Sequence, residues 1–383
     1  MAALPFFGDV SAPAVVTRPA ATVKFGAPAA SSAGFGGILD AAASLLAGAP
    51  GDPWREHLLG LRLRRTLAPA VDVLELLLAN VSTAPKVTLA DEGTVALLGP
   101  DGKDTPVFKG RVDGLHDKSQ AVRVVSATNA ARELAQARLN RSFEQQDAGQ
   151  IIKALCSELG LNTDIAGDVP SLPRYVIDDR ASLYTHIARL AALGGLLVCI
   201  GADGVLRVKH ASANGEAKAR IAFAVDLLDF ALGERTPNIG AVQLTGEGAA
   251  GDQGSDAWYW LRKDPAANQS TAGSGTPLRE RSVAALRSSD AVAKFASAAQ
   301  HSAADTATRG WLSIAGAPQV EPGDLVELSG MPQAALNGKY RADEIVHEFD
   351  ARQGFRSRLR VVRARIASGG ALGGLWGQLG SLL

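Results

Sequence analysis

Cysteine, aromatic side chains and a surplus of either charge are what this chain has little of. Cys156 and Cys199 are its only cysteines, too few for a disulfide framework and without the paired spacing of a zinc site. Cys156 falls in a helical pattern and Cys199 in an apolar strand, so both read as small buried hydrophobes; a disulfide between them stays open at this stage. Lys+Arg and Asp+Glu stand at 39 each. That leaves no basic excess to hold a nucleic-acid backbone, and nucleic-acid binding is not expected. The one basic cluster, Arg62, Arg64 and Arg65, lies in an alternating segment and reads as a solvated strand face. No apolar run reaches the roughly 18 residues of a bilayer span, so stable membrane insertion is not expected. The N-terminus, MAALPFFGDVSAPAVV, has neither a basic region nor a continuous apolar core of the secretory kind. A soluble protein made and kept in a cytoplasm is the expectation.

Motifs of chemistry are missing too. There is no G-x-S-x-G elbow, no H-E-x-x-H and no Walker-type G-K-[ST]. His57, His116, His186, His210, His301 and His347 are scattered without ligand spacing. Gly246, Gly248 and Gly251 spell G-x-G-x-x-G after a strand-like run, but the next residues, Asp-Gln-Gly-Ser-Asp-Ala-Trp-Tyr-Trp, make no amphipathic helix to hold a pyrophosphate. Asp178-Asp179 reads as acids at a helix start, favoured there by the macrodipole. Trp258, Tyr259 and Trp260 could form a sugar-binding patch, although an edge strand packed on a neighbour accounts for them as well. No catalytic residue, metal or cofactor is expected.

With 46% apolar and 20% charged residues the chain can bury real cores. Residues 1–53, rich in Ala, Gly and Pro, read as a flexible or extended arm, with one short helical patch over 38–46. Residues 54–130 alternate at period two and are divided by Glu-Gly, Asp-Gly and Lys-Gly turns, which predicts a first β-barrel. Residues 131–215 read as an inserted α/β module. Asp147 to Gln150 forms a capping box before Ile151, Ile152 and Leu155, and Gly160 ends that helix. A second helix opens near Asp179 and runs to Gly194, followed by a hairpin around Ala202-Asp203-Gly204. Residues 216–365 read as a second β-barrel, carrying a long loop and an alanine-rich helix from Ser289 to Ala307. Residues 366–383 are a Gly/Leu-rich tail with Leu372, Leu375, Trp376, Leu379 and Leu383 on one possible helical face, suited to docking a partner. The fold class is therefore α+β, mainly β: two β-barrels with a small inserted α/β module and flexible termini.

The chain repeats itself. EGTVALLG, FKGRVDGLH and VRVVSA in residues 92–127 match PGDLVELSG, GKYRADEIVH and LRVVRA in residues 322–364. Gly93 aligns with Gly323, Arg111 with Arg341 and Asp113 with Asp343, while His116 lies near His347. Asp324, Gly338 and Tyr340 complete the turns and strands of the second copy. His347 alternates with apolar residues and has no second ligand nearby, so it reads as a sheet residue.

The order of parts, namely a β unit, R-x-F-x-x-x-x-A-x-x-I-I-x-x-L-x-x-x-x-G-L at Arg141–Leu161, L-Y-x-x-I-A-R-L-A-x-x-G-G at Leu183–Gly195, an alanine-rich helix, P-G-D-x-V-x-L and N-G-x-Y, resembles the baseplate-hub family of contractile tails. That family comprises phage late control gene D proteins and the hub portion of VgrG spikes, and the resemblance covers residues 55–365. It implies two tail-tube-like barrels per chain, a homotrimer with six like units in a ring, and a place between an inner tube protein, a spike and other baseplate components, assembled in a bacterial cytoplasm. VgrG chains continue into an OB-fold and a needle, so here the spike is expected on a separate polypeptide. Two other readings remain open: a carbohydrate- or ligand-binding β protein, and a tail-tube subunit, for which one barrel would suffice.

Overall fold

The computed structural model describes residues 21–26, 53–99, 102–119, 121–167, 169–210, 215–234, 239–247, 268–305, 308–350 and 354–364. The short helix expected over 38–46, the Trp258–Trp260 cluster, most of the G-x-G-x-x-G stretch and the tail residues Leu372, Leu375, Trp376, Leu379 and Leu383 lie outside them.

Strand β1 (Ala21–Phe25) and the short helix α1 (Pro53–His57) precede β2 (Leu58–Thr66), β3 (Val73–Ala79), β4 (Glu92–Leu98), β5 (Asp104–Ser119) and β6 (Val122–Thr128). Next come α2 (Ala131–Gln136), β7 (Arg141–Asp147), α3 (Ala148–Ser157), β8 (Thr163–Ile165), β9 (Ser171–Ile177), α4 (Leu183–Leu193), β10 (Leu196–Ile200) and β11 (Leu206–His210). The remainder is β12 (Ala219–Ala222), β13 (Leu227–Glu234), β14 (Ala241–Gly246), β15 (Gln269–Gly273), β16 (Leu278–Val283), α5 (Ser289–Asp305), β17 (Thr308–Ile314), β18 (Leu325–Ser329), β19 (Gly338–Asp350) and β20 (Gly354–Arg363). Twelve strands join in one curled sheet, β1-β4-β5-β6-β3-β2-β19-β20-β17-β13, with β18 on β19 and β12 on β18. The fold is mainly β, and each β unit curls as a half-barrel. Ala21–Phe25, within the stretch expected as an arm, pairs antiparallel with β4. Its Val23 and Phe25 enter the core of the first half-barrel.

Local signals explain the helices. Asp147 accepts from the Gln150 amide at 2.7 Å, and the Gln150 side chain accepts from the Asp147 amide at 3.0 Å. This capping box stops β7 and starts α3, whose Ile151, Ile152 and Leu155 are fully buried. Each such side chain contributes roughly 1.5–3 kcal/mol. Gly160, at φ 69°, turns the chain out of the helix. The next helix starts later than the acid pair indicated. Ser182, not Asp179, caps α4, its hydroxyl accepting from the Thr185 amide at 3.1 Å. Asp178 instead accepts from the Arg180 amide and guanidinium, each at 3.0 Å.

Three cores result. Val23, Leu63, Leu76, Val95 and Phe108 are among those filling the first half-barrel. Leu312, Val326, Tyr340 and Leu359 are among those filling the second. The third belongs to α3, α4, β10 and β11, and it also takes in Val242 and Leu244 of β14 and Val292, Phe295 and Ala296 of α5. The small sheet β15-β14-β16 and the alanine-rich helix thus pack on the α/β module, although the sequence reading grouped them with the second barrel.

Candidate functional site

The two β units correspond strand for strand. The first runs β4-β5-β6-β3-β2 across the sheet and the second β18-β19-β20-β17-β13. Two of the first unit's four register shifts recur in the second, whereas those at Val95/Ala96 and Asp117/Ser119 do not. In β5 the bulge falls between Val112 and Gly114, leaving Asp113 as the extra residue. In β19 it falls between Ala342 and Glu344, leaving Asp343. In β2 the bulged residue is Leu59, between Leu58 and Gly60, and in β13 it is Leu228, between Leu227 and Asp229. Bulges re-aim a strand at one point, so two shared positions mark a duplicated three-dimensional unit.

That register places the expected residues. Arg111 and Arg341 occupy one equivalent position, since Val112 pairs with Ala127 and Ala342 with Val361 just beyond them. Arg111 reaches Glu133 at 3.2 Å, whereas Arg341 turns back to Asp343 at 2.8 Å. Asp113 accepts from Thr128 at 3.0 Å and pairs with Arg132 at 3.2 Å. Two other matches are reassigned. Gly323 donates to the Ala342 carbonyl at 2.8 Å and Ala342 donates to Asp324 at 2.9 Å; in the first unit Ala90 donates to Val112 and Val112 to Asp91, both at 2.9 Å. The counterpart of Gly323 (φ 88°) is therefore Ala90 (φ 71°), not Gly93. In each turn the aspartate accepts from the amide three residues back, Thr88 at 2.7 Å and Glu321 at 2.9 Å. The sequence signal is A-P-x-V-x-x-x-D, at Ala84–Asp91 and Ala317–Asp324. A hairpin three residues longer in the first copy hid it from a match made on glycines. Gly93 has a different role, because a Cβ there would meet the Lys24 carbonyl and the Phe25 ring of β1. The second reassignment concerns histidine. His116 occupies the position of Val346, one residue out of phase with His347, so the two point to opposite faces; His116 is exposed and His347 fully buried.

Gly338, at φ 130°, opens β19, and Tyr340, fully buried, donates its hydroxyl to the Leu336 carbonyl at 2.9 Å. His347 lies against the Phe355 ring, and its Nδ1 is 2.8 Å from the Ser357 hydroxyl, which accepts from the Ala317 amide at 3.0 Å. Burial and the charge of Arg65 hold the imidazole neutral, with its pKa pushed down to about 3. Such a ring is a sheet residue, not a proton carrier near neutral pH.

The units meet where β2 pairs with β19, and the seam is charged. On its outer face Arg64 reaches Glu344 at 3.1 Å and Arg62 reaches Glu348 at 3.7 Å. Arg65 departs from the solvated face expected for the cluster. It follows Arg64 directly in a strand and so points to the other side, where it is 1% exposed. Its guanidinium donates to the Ile200 carbonyl at 3.0 Å and to Glu321 at 3.3 Å, with Asp72 at 3.7 Å. Glu321 also receives Lys209 at 3.1 Å, Arg207 at 3.3 Å and the Ala202 amide at 3.1 Å, and Lys209 bridges to Asp324 at 3.0 Å. Burial opposes the Glu321 charge, but Arg65, Lys209, the Ala202 amide and Arg207 outweigh it and hold its pKa down to about 2. Asp72, with Arg65 as its one close cation among the described residues, is raised by burial to about 7, against the pull of Arg65, the Thr66 amide and Asn129. This network locks the α/β module onto the seam between the units. At the equivalent place in the first unit stands Thr88, exposed and without such partners.

Such a network orients domains, and its amine, Lys209, is held between Glu321 at 3.1 Å and Asp324 at 3.0 Å. Cys156 and Cys199 are buried and unbonded to each other, their thiols pushed up to about 12 chiefly by burial. No group of His, Cys, Asp or Glu among the described residues could hold a metal ion. None of the described helices is long and apolar enough to cross a membrane.

No family model matches the sequence, and no curated protein matches it. Solved structures do match in fold. A 43 kDa tail protein of prophage MuSo2 from Shewanella oneidensis aligns with a TM-score of 0.61 at 15% identity, over 80% of this chain and 94% of that one. The tail protein from Neisseria meningitidis MC58 aligns with a TM-score of 0.62 at 13% identity, over 80% and 92%. The E. coli c3393 protein is described as a component of the type VI secretion system with structural similarity to the T4 bacteriophage tail proteins gp27 and gp5; it aligns with a TM-score of 0.55 at 11% identity, over 81% and 74%. At such identities what is shared is the fold. The chain has the fold of phage tail proteins and of this secretion-system component.

Proposed function

We propose that the chain is the structural hub of a contractile injection system or phage-like tail. Three copies form a ring of six half-barrel units, with one face toward a sixfold inner tube and the other toward a threefold spike. Other baseplate components surround it, assembly takes place in a bacterial cytoplasm, and the chain itself performs no catalysis. The observation that carries this reading is the doubled unit, matched in strand order and in two bulge positions. A chain that holds one unit twice can present six like units while keeping threefold symmetry, the condition for joining unlike symmetries along one axis. The fold shared with tail proteins over more than nine-tenths of two of them supports it.

The apolar stripe Leu372, Leu375, Trp376, Leu379 and Leu383 is assigned to partner docking. Deleting residues 366–383 is expected to weaken association with spike or tube and to leave the trimer intact; unchanged association overturns that assignment. The ring itself is tested by electron microscopy of the purified full chain viewed end on. Six similar lobes related by threefold symmetry are expected. Six whole chains per ring would make the protein a tube subunit, and isolated particles would return the ligand-binding reading.

A further inference from the structure

The seam inside the chain has a missing counterpart. Within one chain, β2 of the first unit pairs with the C-terminal half of β19, Ile345 opposite Arg65, Val346 opposite Arg64 and His347 opposite Leu63. By the shared register, β5 is the equivalent of β19 and β13 the equivalent of β2. The C-terminal half of β5 beyond Arg111 pairs with β6 on one side, and among the described residues no strand occupies the other. Among the described residues β13 pairs with β17 alone. Each unit thus leaves open the edge that its twin fills, and an eight-residue open edge without proline is a template for strand addition.

We propose that β13 of one copy adds antiparallel to the free half of β5 of a second copy, with Leu115 opposite Glu234, His116 opposite Gly233 and Asp117 opposite Leu232. The occupant is a second copy because the internal seam is the same pairing made covalently continuous. Charge agrees: β13 carries Asp229 and Glu234 and no basic residue, while in the free part of β5 Asp113 and Asp117 are held by Arg132 at 3.2 Å and Arg123 at 2.7 Å, leaving the cation Lys118. Main-chain hydrogen bonds supply the affinity and the alternating side chains the register. The proposal rests on the ring reading for the statement that copies meet; it adds which strands meet and how.

Cysteines placed on the exposed pair test it in the full chain. His116 is exposed, and a Cβ at Gly233 meets nothing within 4 Å, so the variant His116→Cys/Gly233→Cys is tolerated, and the two native thiols are buried. Directly opposed strand residues fall within disulfide reach. Mild oxidation is expected to link chains into covalent oligomers at least about tenfold more than in His116→Cys/Asp229→Cys, shifted by about 13 Å along the strand. Leu115→Cys/Glu234→Cys reads the same register on the other face and serves if the first variant loses its fold. Oligomers by light scattering without cross-links, or equal cross-linking in the shifted pair, overturn the strand pairing and leave the ring. A wild-type chain that stays monomeric overturns both.

Discussion

Replacing Arg65 with methionine removes the fully buried cation of the seam while keeping most of its volume. Arg65 is 1% exposed and reaches Asp72, Glu321 and the Ile200 carbonyl. Breaking a buried ion pair from one side costs about 3–5 kcal/mol, because the partner charge is stranded. Two guanidinium nitrogens of Arg65 already lack hydrogen-bond partners, which places the loss near the lower end, about 3 kcal/mol. The loss must depend on pH. Asp72 has its folded pKa raised from 3.8 to about 7, so between those values the folded state holds a proton that the unfolded state has released. Stability from this group falls as pH rises through that window and levels off above it. Without Arg65 the carboxyl moves higher still, and the fall continues past pH 7 at about 1.4 kcal/mol per pH unit. Urea unfolding of Arg65→Met is therefore expected to show a larger deficit at pH 8.5 than at pH 5.5. Adding Asp72→Asn is expected to recover much of the difference at pH 8.5. A deficit below about 1 kcal/mol, or one equal at both pH values and untouched by Asp72→Asn, refutes the reasoning.

Three further outcomes follow from named geometry. Ala90 stands at φ 71° where the second copy has Gly323, so Ala90→Gly is expected to stabilise by about 0.5–1 kcal/mol, read from the urea midpoint. His347, with its folded pKa pushed below the ordinary 6.5 to about 3, contributes stability that is present above 6.5 and lost as pH falls toward 3; His347→Gln is expected to lose stability less steeply than wild type over that range, read by urea unfolding at a series of pH values. Ser182→Ala is expected to cost about 1 kcal/mol through the lost cap of α4, and Ser182→Asp to restore most of it, measured by thermal melting.

The α/β module was legible because its signals are local: a capping box, a glycine turn and apolar positions at helical spacing all lie within a few residues of what they determine. The duplication was legible in outline for the same reason, since strands keep alternation and turns keep aspartate. Its detail was not. A bulge at Leu59 turns Leu58 rather than Leu59 inward, and one residue of slip moved His116 out of phase with His347. The ion network was hidden altogether. Arg65, Asp72, Glu321, Arg207 and Lys209 come from separate elements, with Arg65 and Glu321 256 residues apart, and only the completed sheet brings them together. The pairing of α5 with the module was likewise set by tertiary packing, because an alanine-rich helix fits either core.

The measurement that reaches the central claim most directly is the mass of the purified full chain in solution, by light scattering across a range of concentrations. The account predicts three times the 39.6 kDa of one chain, the number that turns two units into six. A chain that remains at 39.6 kDa, alone and when mixed with the inner tube and spike proteins proposed as its partners, contradicts it.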